Sequence, residues 1–426
     1  MKIKSTILWK LFLTLLLPLY IPAQAQERLG TVGNVSQLSV KQVIALAVKN
    51  NLELKTLREG LGIALGQLTG AKIFPSNPEL EITYFNANPS ERVGKTSEYS
   101  LSVSQEFEIG GQRGHRKQVA QSTIEKVEAE IGRAQWMLVG DVRETFYQVL
   151  LQQEKLDLAH RVISLTEDLV NRTSDKFNAG YAPQFEVNFA KLELQRTLRE
   201  KARVINQLKI AKYRLNNLMG RPWETEFTSS EELAYQPVEV DVARLKAYAV
   251  INRRDLKSLQ FEQEAAQSEI NLARSLKIPN LRFSVLYNKE FDKNNFGAMI
   301  TLTIKLFNRN QGDIAMSLAS ERTAEARYSF LKFLIEKEVA SAYSEVLLAS
   351  KEVQLLEEGM LETAEQNMDL VQEAYQRGEA EIIEVITAQR NLVDIQTAYL
   401  EALYSFNLAV VNLDKVLGGN LVDIRE

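Results

Sequence analysis

Few side chains in this protein have the types and spacings that catalysis requires. Its 426 residues include two histidines and no cysteine. His115 and His160 lie 45 residues apart on one expected helix, so they cannot share a metal ion within a chain. The segment Gly110–Gly114 lacks the Lys-Ser/Thr pair of a phosphate-binding loop, and no HExxH or GxSxG motif occurs. The sequence therefore predicts no enzyme, no cofactor and no metal site.

The remaining candidates for chemistry are two glutamates that follow two glycine-containing turns. Glu186 lies six residues after Gly180, and Glu384 lies six residues after Gly378. From the sequence alone, both are typical of solvated residues near helix N-termini, where the helix dipole favours negative charge.

Two long helices must position these turns. An apolar residue recurs every seventh position, without exception in the first helix and with one polar exception in the second: Val142, Val149, Leu156, Ile163, Val170, Phe177; Ala340, Leu347, Gln354, Leu361, Met368, Tyr375. A sustained seven-residue repeat keeps one seam of a helix against a partner helix. Each helix is followed by a turn and a further helix, so the sequence predicts two antiparallel coiled-coil hairpins. The turns 178–185 and 376–383 are their tips, and Gly permits positive φ there.

The two hairpins belong to an internal duplication. Leu215–Gly220 (LNNLMG) matches Leu413–Gly418 (LDKVLG), and Gln112–Gly114 aligns with Asn310–Gly312. Each half reads as helix, strand, strand, long helix, turn and helix. The expected ranges are a signal peptide at 1–25, an irregular segment at 26–37, repeat 1 at 38–220, a linker at 221–240, repeat 2 at 241–418 and a tail at 419–426.

Within repeat 1 we expect one helix from about Ser39 to Ala71, strands at about 79–86 and 97–109, and a helical hairpin over 112–219. Within repeat 2 we expect strands at about 280–288 and 296–307 and a helical hairpin over 311–417. The first long helix would measure ~100 Å at 1.5 Å per residue.

The strand segments alternate between apolar and polar residues. Tyr99, Leu101 and Val103 point one way, whereas Ser100, Ser102, Ser104 and Glu106 point the other. Tyr84, Tyr99, Tyr287 and Phe296 lie near strand ends, where the aromatic girdles of a membrane barrel belong. The pattern fits a lipid-facing sheet with a wet inner face. It also fits a soluble antiparallel sheet with one face on a core.

The first 25 residues have the features of a secretory signal. Lys2 and Lys4 precede an apolar run, and Ala23-Gln24-Ala25 is a small-x-small cleavage site. Removing this segment would delete three lysines and no acids, leaving 48 basic against 55 acidic residues. That mild acidity does not favour nucleic-acid binding.

Three motifs carry a resemblance to a known family: Asn77–Leu80 (NPEL), Ser104–Arg113 (SQEFEIGGQR) and Leu306–Gly312 (LFNRNQG). With the duplicated hairpins, they make the chain similar to the outer-membrane factors of the TolC type. Within that family it most resembles the cation-efflux branch, the cobalt–zinc–cadmium resistance kind. The resemblance covers about residues 38–420.

The resemblance implies an α plus transmembrane β fold assembled as a homotrimer. Three chains would form a twelve-stranded β-barrel in the outer membrane of a Gram-negative bacterium, continued by a twelve-helix coiled-coil tunnel across the periplasm. The implied partners are outer-membrane lipid, a periplasmic adaptor (membrane fusion protein) and an inner-membrane RND pump, with no nucleic acid.

The resemblance also implies roles for individual residues. Glu186 and Glu384 would form an acidic gate at the tunnel mouth, and Tyr375 would belong to the closing network. The multidrug type has a basic residue two positions after the second turn glycine, where this chain has Ala380, so Arg377 is the expected substitute. The tips, with Gly180, Tyr181, Gly378 and Glu379, would dock the adaptor or pump. The strand-to-helix junctions are Gly110, Gly111, Arg309 and Gly312.

The function that follows is a passive exit duct of a tripartite efflux system, exporting heavy-metal cations. Multidrug export and type I protein secretion are alternatives within the same architecture. A periplasmic coiled-coil adaptor or scaffold is the alternative of a different class. We expect such an adaptor to carry one hairpin rather than two in tandem.

Overall fold

The computed structural model describes residues 36–87, 96–229, 231–290 and 293–421. The expected signal peptide at 1–25 lies outside the described residues. The elements of the first half are β1 (Ser36–Gln37), α1 (Val40–Asn50), α2 (Leu52–Lys72), β2 (Glu79–Ala87), β3 (Thr96–Phe107), α3 (Gln112–Asn178) and α4 (Gln184–Leu218). Those of the second half are β4 (Phe227–Thr228), α5 (Val242–Asn252), α6 (Arg254–Ser275), β5 (Leu281–Glu290), β6 (Lys293–Leu302), α7 (Gln311–Leu355), a π-helical turn (Leu356–Leu361), α8 (Glu362–Arg377) and α9 (Ile382–Leu417).

The single helix expected from Ser39 to Ala71 is wrong, because the chain breaks at Asn51. The φ and ψ of Asn51 are −55° and 127°, so this residue leaves the helical region. Its Oδ1 accepts a 3.0 Å hydrogen bond from the Leu54 backbone and caps α2, while its Nδ2 donates to the carbonyl of Leu218. Repeat 2 breaks at Arg253, with similar φ and ψ of −63° and 121° but without a side-chain hydrogen bond that caps α6. Asn is a strong helix N-cap, so its side chain replaces the hydrogen bonds that the break removes.

The strands of both repeats join one antiparallel sheet in the order β2-β3-β5-β6. β3 pairs with β5, so the centre of the sheet unites the two halves of the duplication. β2 and β6 are the edges, and in the part of the chain that the structure describes each pairs on one side only. β6 ends at Leu302, five residues before the expected end, and residues 303–310 form the connection to α7.

The linker between the repeats is more ordered than its composition indicates. Ser36–Gln37 and Phe227–Thr228 form a short parallel pair, so the end of the segment 26–37, which was expected to be irregular, is a strand. Phe227, Leu233 and Val238 are buried in the main core. The Tyr235 ring lies 4.9 Å from that of Phe406, edge to face. The linker therefore forms part of the main hydrophobic core.

The helices pack in two tiers that share α3 and α7. Next to the sheet, α2, α3, α6 and α7 lie side by side, in that order. Farther from it, α3 packs against α4 and α9, and α7 and α8 pack against α9. The main core lies between the tiers, where Phe146, Leu215 and Leu413 are fully buried. Helix α3, with 67 residues, is ~100 Å long at 1.5 Å per residue.

None of the helices formed by the described residues has an apolar stretch long enough to span a membrane.

Candidate functional site

The sheet has one apolar face that is largely exposed. Residues paired across the strands point to the same side, so the register defines each face. Pairs such as Ile82–Leu101, Val103–Val285 and Phe283–Ile300 build the apolar face. Most of its large side chains are exposed: Leu80, Ile82, Tyr84, Tyr99, Leu101, Val103, Phe107, Phe283, Val285, Phe296, Ile300 and Leu302. A soluble sheet would bury such a face, so this face requires an apolar environment outside the chain.

Four aromatic rings cross the sheet near its far end, one on each strand. Tyr84 pairs with Tyr99, and Tyr287 pairs with Phe296. The Tyr99 and Tyr287 ring centroids are 6.2 Å apart, and those of Tyr287 and Phe296 are 4.9 Å apart. The row matches the aromatic girdle at one boundary of a membrane-embedded sheet.

The opposite face of the sheet is polar and carries a three-strand charge network. Arg282 on β5 forms ion pairs of 2.7 Å with Glu79 on β2 and 3.3 Å with Glu106 on β3. Nδ2 of Asn280 donates a 2.6 Å hydrogen bond to the Glu106 carboxylate. Arg282 thus ties the strand pair of repeat 1 to that of repeat 2.

The polar face has an excess of negative charge. Its described charged residues, assigned by strand alternation from the register, are Glu79, Glu81, Glu98, Glu106, Glu290, Arg282 and Lys293. Five carboxylates against two cations leave a net charge of −3 per chain on this face.

The two junctions between the sheet and the long helices α3 and α7 share one hydrogen-bond pattern. Gly111 and Asn310, with φ of 78° and 60°, precede α3 and α7 in the left-handed region. The next residue in each case is a glutamine, whose Oε1 accepts a 2.8 Å hydrogen bond from the backbone two positions earlier, at Gly110 or Arg309. Gln112 therefore corresponds to Gln311, and the sequence alignment of Gln112 with Asn310 was wrong by one residue.

Among the predicted junction residues, Gly110 has the tightest surroundings. A Cβ there would lie 2.8 Å from Ile278 Cβ and 3.0 Å from the Ser275 carbonyl oxygen. Gly312 lies in the first turn of α7 and has open space around it. Gln112 is fully buried, and its Nε2 donates to the carbonyl oxygens of Ser275 and Ile278. Sequence reasoning did not single out Gln112, although a glutamine after each junction turn was a visible signal.

The tips of both hairpins have the backbone that the glycines predict. Gly180 and Gly378 have φ of 81° and 78°, and neither would place a Cβ near another atom, so conformation rather than space requires glycine. Backbone hydrogen bonds from Tyr181 to Lys176 and from Glu379 to Ala374 close the two helix ends in Schellman fashion. Tyr181 is 85% exposed and free to contact a partner.

Tyr375 is the best-enclosed of the predicted gate residues. It is 5% exposed and packs in an apolar cluster with Leu169, Ala190 and Ile382. Its hydroxyl lies 3.3 Å from Thr173 Oγ1 on α3. Burial raises the pKa of this hydroxyl above its ordinary value, the Thr173 hydrogen bond lowers the pKa in part, and the nearby Glu186 charge raises the pKa further.

The basic group beside Tyr375 is Lys176 rather than Arg377. Lys176 Nζ donates a 2.8 Å hydrogen bond to the Tyr375 carbonyl oxygen and lies 3.7 Å from the centroid of its ring. Arg377 extends into solvent and pairs with Glu373 on its own helix at 3.1 Å. Lys176 occupies the position before the seven-residue repeat residue Phe177, where charged side chains face a partner helix. That signal could have identified Lys176 from the sequence.

The two gate glutamates have different surroundings within the chain. Glu384 completes a capping box at the start of α9, because its Oε2 accepts a 2.9 Å hydrogen bond from the Glu381 backbone. Glu186 lies in the first turn of α4, half-buried and near the Tyr375 hydroxyl. The structure does not bring the two carboxylates together by any hydrogen bond or ion pair among the described residues. Their assembly into a ring remains a prediction.

Sequence reasoning also missed a polar layer in the tier farther from the sheet, where Thr166, Glu193 and Gln389 are buried. Gln389 Nε2 on α9 donates a 2.8 Å hydrogen bond to Thr166 Oγ1 on α3. Arg390 on α9 pairs through two contacts with Glu193 on α4. Thr166 and Thr173 lie three residues after Ile163 and Val170, so they occupy the second core position of the seven-residue repeat. Sequence reasoning considered only the first core position.

Within the described residues, no group of three or more His, Cys, Asp or Glu side chains could hold a metal ion. His115 and His160 lie on α3, far apart as expected. The predicted preference for cations therefore rests on the negative charge of exposed surfaces rather than on coordination of a metal ion.

Comparison with known proteins gives one family. The profile described as "Outer membrane efflux protein" matches residues 43–221 and 247–419, which are the two repeats without the linker. The cobalt-zinc-cadmium resistance protein CzcC of Cupriavidus metallidurans is 23% identical over 389 residues, covering 89% of this chain and 90% of the relative. The probable outer membrane lipoprotein SilC of Salmonella typhimurium is 22% identical over 414 residues, covering 90% and 86%. The solvent efflux pump outer membrane protein SrpC of Pseudomonas putida is 23% identical over 348 residues, covering 77% and 72%.

A solved structure of CusC, described as undergoing conformational changes with folding and transmembrane channel formation, has the same fold. Its TM-score is 0.76 at 17% identity, covering 93% of this chain and 96% of that chain.

Proposed function

This chain belongs to the outer membrane efflux protein family, and from that premise we propose that three copies assemble into an exit duct for heavy-metal cations. The family consists of efflux channels in the outer membrane and not of enzymes. The match extends over both repeats, so the alternative of a periplasmic adaptor or scaffold is wrong.

The observation that carries the proposal is the open, apolar sheet. Four strands cannot close a barrel, and unpaired N–H and C=O groups at an edge are not tolerated in hydrocarbon. Among the described residues, the edges β2 and β6 have no strand partner on their outer sides. Pairing β6 of one copy with β2 of the next would remove every edge, and three copies supply twelve strands, within the range of outer-membrane barrels.

The exposed faces of the upper helices support the same assembly. α2 and α7 are the outer helices of the tier next to the sheet. Each exposes large apolar side chains. Leu52 and Ile63 on α2 are exposed, as are Phe330 and Phe333 on α7. Contact between α7 of one copy and α2 of the next would bury these side chains and continue the helical wall.

The polar face would then line the duct and select cations. With −3 per chain on the described polar face, three chains bring −9 around one axis. A low-dielectric wall of one charge sign raises the local concentration of oppositely charged ions. CzcC is named for cobalt, zinc and cadmium resistance, which fits such a wall. This chain would conduct the metal ions without holding them.

The tips would be the gate and the docking end. We place Glu186, Glu384, Tyr375 and Arg377 at the mouth and assign Gly180, Tyr181, Gly378 and Glu379 to contact with a periplasmic adaptor and an inner-membrane RND pump. The exposure of Tyr181 supports the docking role. Lys176 would hold the two hairpins together through Tyr375 when the mouth is closed.

Deleting the gene tests the cargo. We expect the deletion strain to become sensitive to zinc, cobalt or copper salts and to recover when the full chain is restored. Sensitivity confined to solvents, drugs or detergents would instead favour the second candidate, an exit duct for organic compounds. The relative SrpC, named for solvent efflux, supports that second candidate.

A further inference from the structure

Exposed apolar residues gather at the helix-side boundary of the sheet, opposite the aromatic row. Ile73 and Phe74 precede β2, Ile109 follows β3, Ile278 precedes β5, and Ile304, Leu306 and Phe307 follow β6. All of them are more than 40% exposed, and Phe307 reaches 92%. Ten residues separate Tyr99 from Ile109, which is ~33 Å of extended chain and ~25 Å of height at a tilt of ~40°. That height equals the apolar band of a membrane barrel, so these residues mark its inner boundary.

Cations are interspersed among these apolar residues. Four of these cations lie within two residues of them in sequence: Lys72, Lys277, Lys305 and Arg309. The fifth, Arg113, lies four residues after Ile109, and all five are exposed. We call these five residues the rim cations. Arg113 lies over the Phe74 ring at 4.9 Å, Lys305 donates to the carbonyl of Leu276, and Arg309 donates to the carbonyl of Leu306 at 3.2 Å. Three of them are therefore oriented by contacts at the boundary itself.

The rim cations differ from their neighbours in lacking an anionic partner. Arg116 pairs with Glu108, and Arg282 on the polar face pairs with Glu79 and Glu106. Among the described residues, no salt bridge includes any rim cation. Of the carboxylates at this level, Glu79, Glu106 and Glu108 are already engaged by Arg282 and Arg116. Asp313, in the first turn of α7, forms no salt bridge among the described residues. Five cations against this one carboxylate leave net positive charge beside exposed apolar side chains.

We propose that the rim cations bind the phosphate groups of anionic glycerophospholipids in the inner leaflet of the outer membrane. The apolar residues contact the acyl chains, and Lys and Arg side chains extend from that level to the headgroups. The rim cations should bind an anionic headgroup more tightly than a zwitterionic one, because the ammonium group of a zwitterionic headgroup offsets the charge of its phosphate. Three copies of the chain would present fifteen such cations around the duct. This inference rests on the proposed placement of the sheet in the membrane.

The test measures lipid retention by the purified full-length trimer in neutral detergent, using native mass spectrometry with added phosphatidylglycerol or phosphatidylcholine. The variant combines Lys277→Gln, Lys305→Gln and Arg309→Gln. The matched control combines Lys41→Gln, Arg244→Gln and Lys351→Gln, which removes three exposed cations from helices away from the rim. We expect the rim variant to bind phosphatidylglycerol at least tenfold more weakly, since each Lys or Arg near an anionic surface contributes roughly fivefold in affinity. Phosphatidylcholine binding should not change, and the control should match the native protein.

A charge-conserving variant, Lys277→Arg with Lys305→Arg and Arg309→Lys, should keep phosphatidylglycerol binding and shows whether charge or local folding is responsible. Equal loss of both lipids in the rim variant, or no loss of either, would overturn the proposal. Displacement of the lipid by millimolar inorganic phosphate would also overturn it, since the site would then bind free phosphate. These measurements need no pump or metal, so their failure is distinguishable from failure of the proposed efflux function.

Discussion

Lys176 on α3 donates a hydrogen bond of 2.8 Å to the carbonyl oxygen of Tyr375 on α8, and its ammonium lies 3.7 Å from the centre of the Tyr375 ring. The contact joins the first hairpin to the second within a residue or two of both tips. A cation over an aromatic ring contributes ~0.5–2 kcal/mol, depending on how far it is desolvated. Together with the Thr173 contact to the Tyr375 hydroxyl, it forms a latch between the two hairpins.

Replacing Lys176 by Met should loosen this latch, because Met keeps the apolar stem and removes the charge and the donor. We expect single-trimer conductance in planar bilayers to rise. Arg377→Gln is the competing variant, because the resemblance assigned Arg377 to the mouth, whereas its salt bridge among the described residues is with Glu373 on its own helix. We expect a smaller rise for this variant. A larger rise for Arg377→Gln would support the role that the sequence resemblance gave to Arg377 and remove the role assigned to Lys176.

Tyr375 should make the tips sensitive to alkaline pH. Burial raises the pKa of its hydroxyl, so the folded state disfavours the phenolate relative to the unfolded chain. This contribution to stability is complete below pH ~10, the unfolded value, and is lost as pH rises through the folded value. In urea unfolding between pH 8 and 12, Tyr375→Phe should flatten the alkaline decline. The variant should lose ~1 kcal/mol at pH 8 with its hydrogen bond to Thr173. An unchanged alkaline slope would show that other tyrosines account for the decline.

Two substitutions at Glu384 separate the effect of its charge from the effect of its capping hydrogen bond. Glu384→Gln keeps a side chain that can accept the hydrogen bond of the capping box, whereas Glu384→Ala removes both functions. If Glu384 lines the mouth, both variants should lower the cation preference measured from reversal potentials. Only the Ala variant should also destabilise the start of α9, by ~0.5–2 kcal/mol. If the Gln variant kept the native selectivity, Glu384 would be a capping residue alone.

Arg282 is one of two cations on the predominantly acidic polar face of the sheet, and removing it should increase cation preference. Arg282→Gln changes the net charge of the described polar face from −3 to −4 per chain and frees Glu79 and Glu106. The reversal potential in a salt gradient should shift toward the cation value. Arg309→Gln, at the proposed lipid boundary, removes the same charge and should leave the potential unchanged. Equal shifts for both variants would mean that the polar face does not line the duct.

Two glycines near the first junction should respond in opposite directions to alanine. At Gly110 the added Cβ meets Ile278 Cβ at 2.8 Å and the Ser275 carbonyl at 3.0 Å, so Gly110→Ala should cost ~1–3 kcal/mol by overpacking. At Gly114, inside α3, the added Cβ has no neighbour within 4 Å, and Ala should stabilise the helix by ~0.5–1 kcal/mol. Thermal dissociation of the trimer on unboiled gels would measure both. A destabilised Gly114→Ala would indicate that a neighbouring copy contacts this position.

Periodic residues made the elements predictable because secondary structure depends on local repeats. The seven-residue spacing from Val142 to Phe177 lies wholly within α3, and the alternation around Leu101 lies within β3. The duplication could be recognised because both halves must satisfy the same backbone geometry at their turns. Asn51 was missed since a helix break leaves the apolar period on either side intact, and its signal is a single side chain that caps α2.

The sequence by itself therefore determined the duplicated hairpins, the alternating strands, the glycines of the tips and the absence of catalytic motifs, since these depend on neighbours along the chain. Only the tertiary structure decided that β3 pairs with β5, that Arg282 spans three strands and that Lys176 rather than Arg377 meets Tyr375. Lys176 and Tyr375 are separated by 199 residues, and charge–ring contacts form over a few ångströms. No local pattern specifies which of several exposed cations is brought into that range, because helix packing across the two repeats sets that distance.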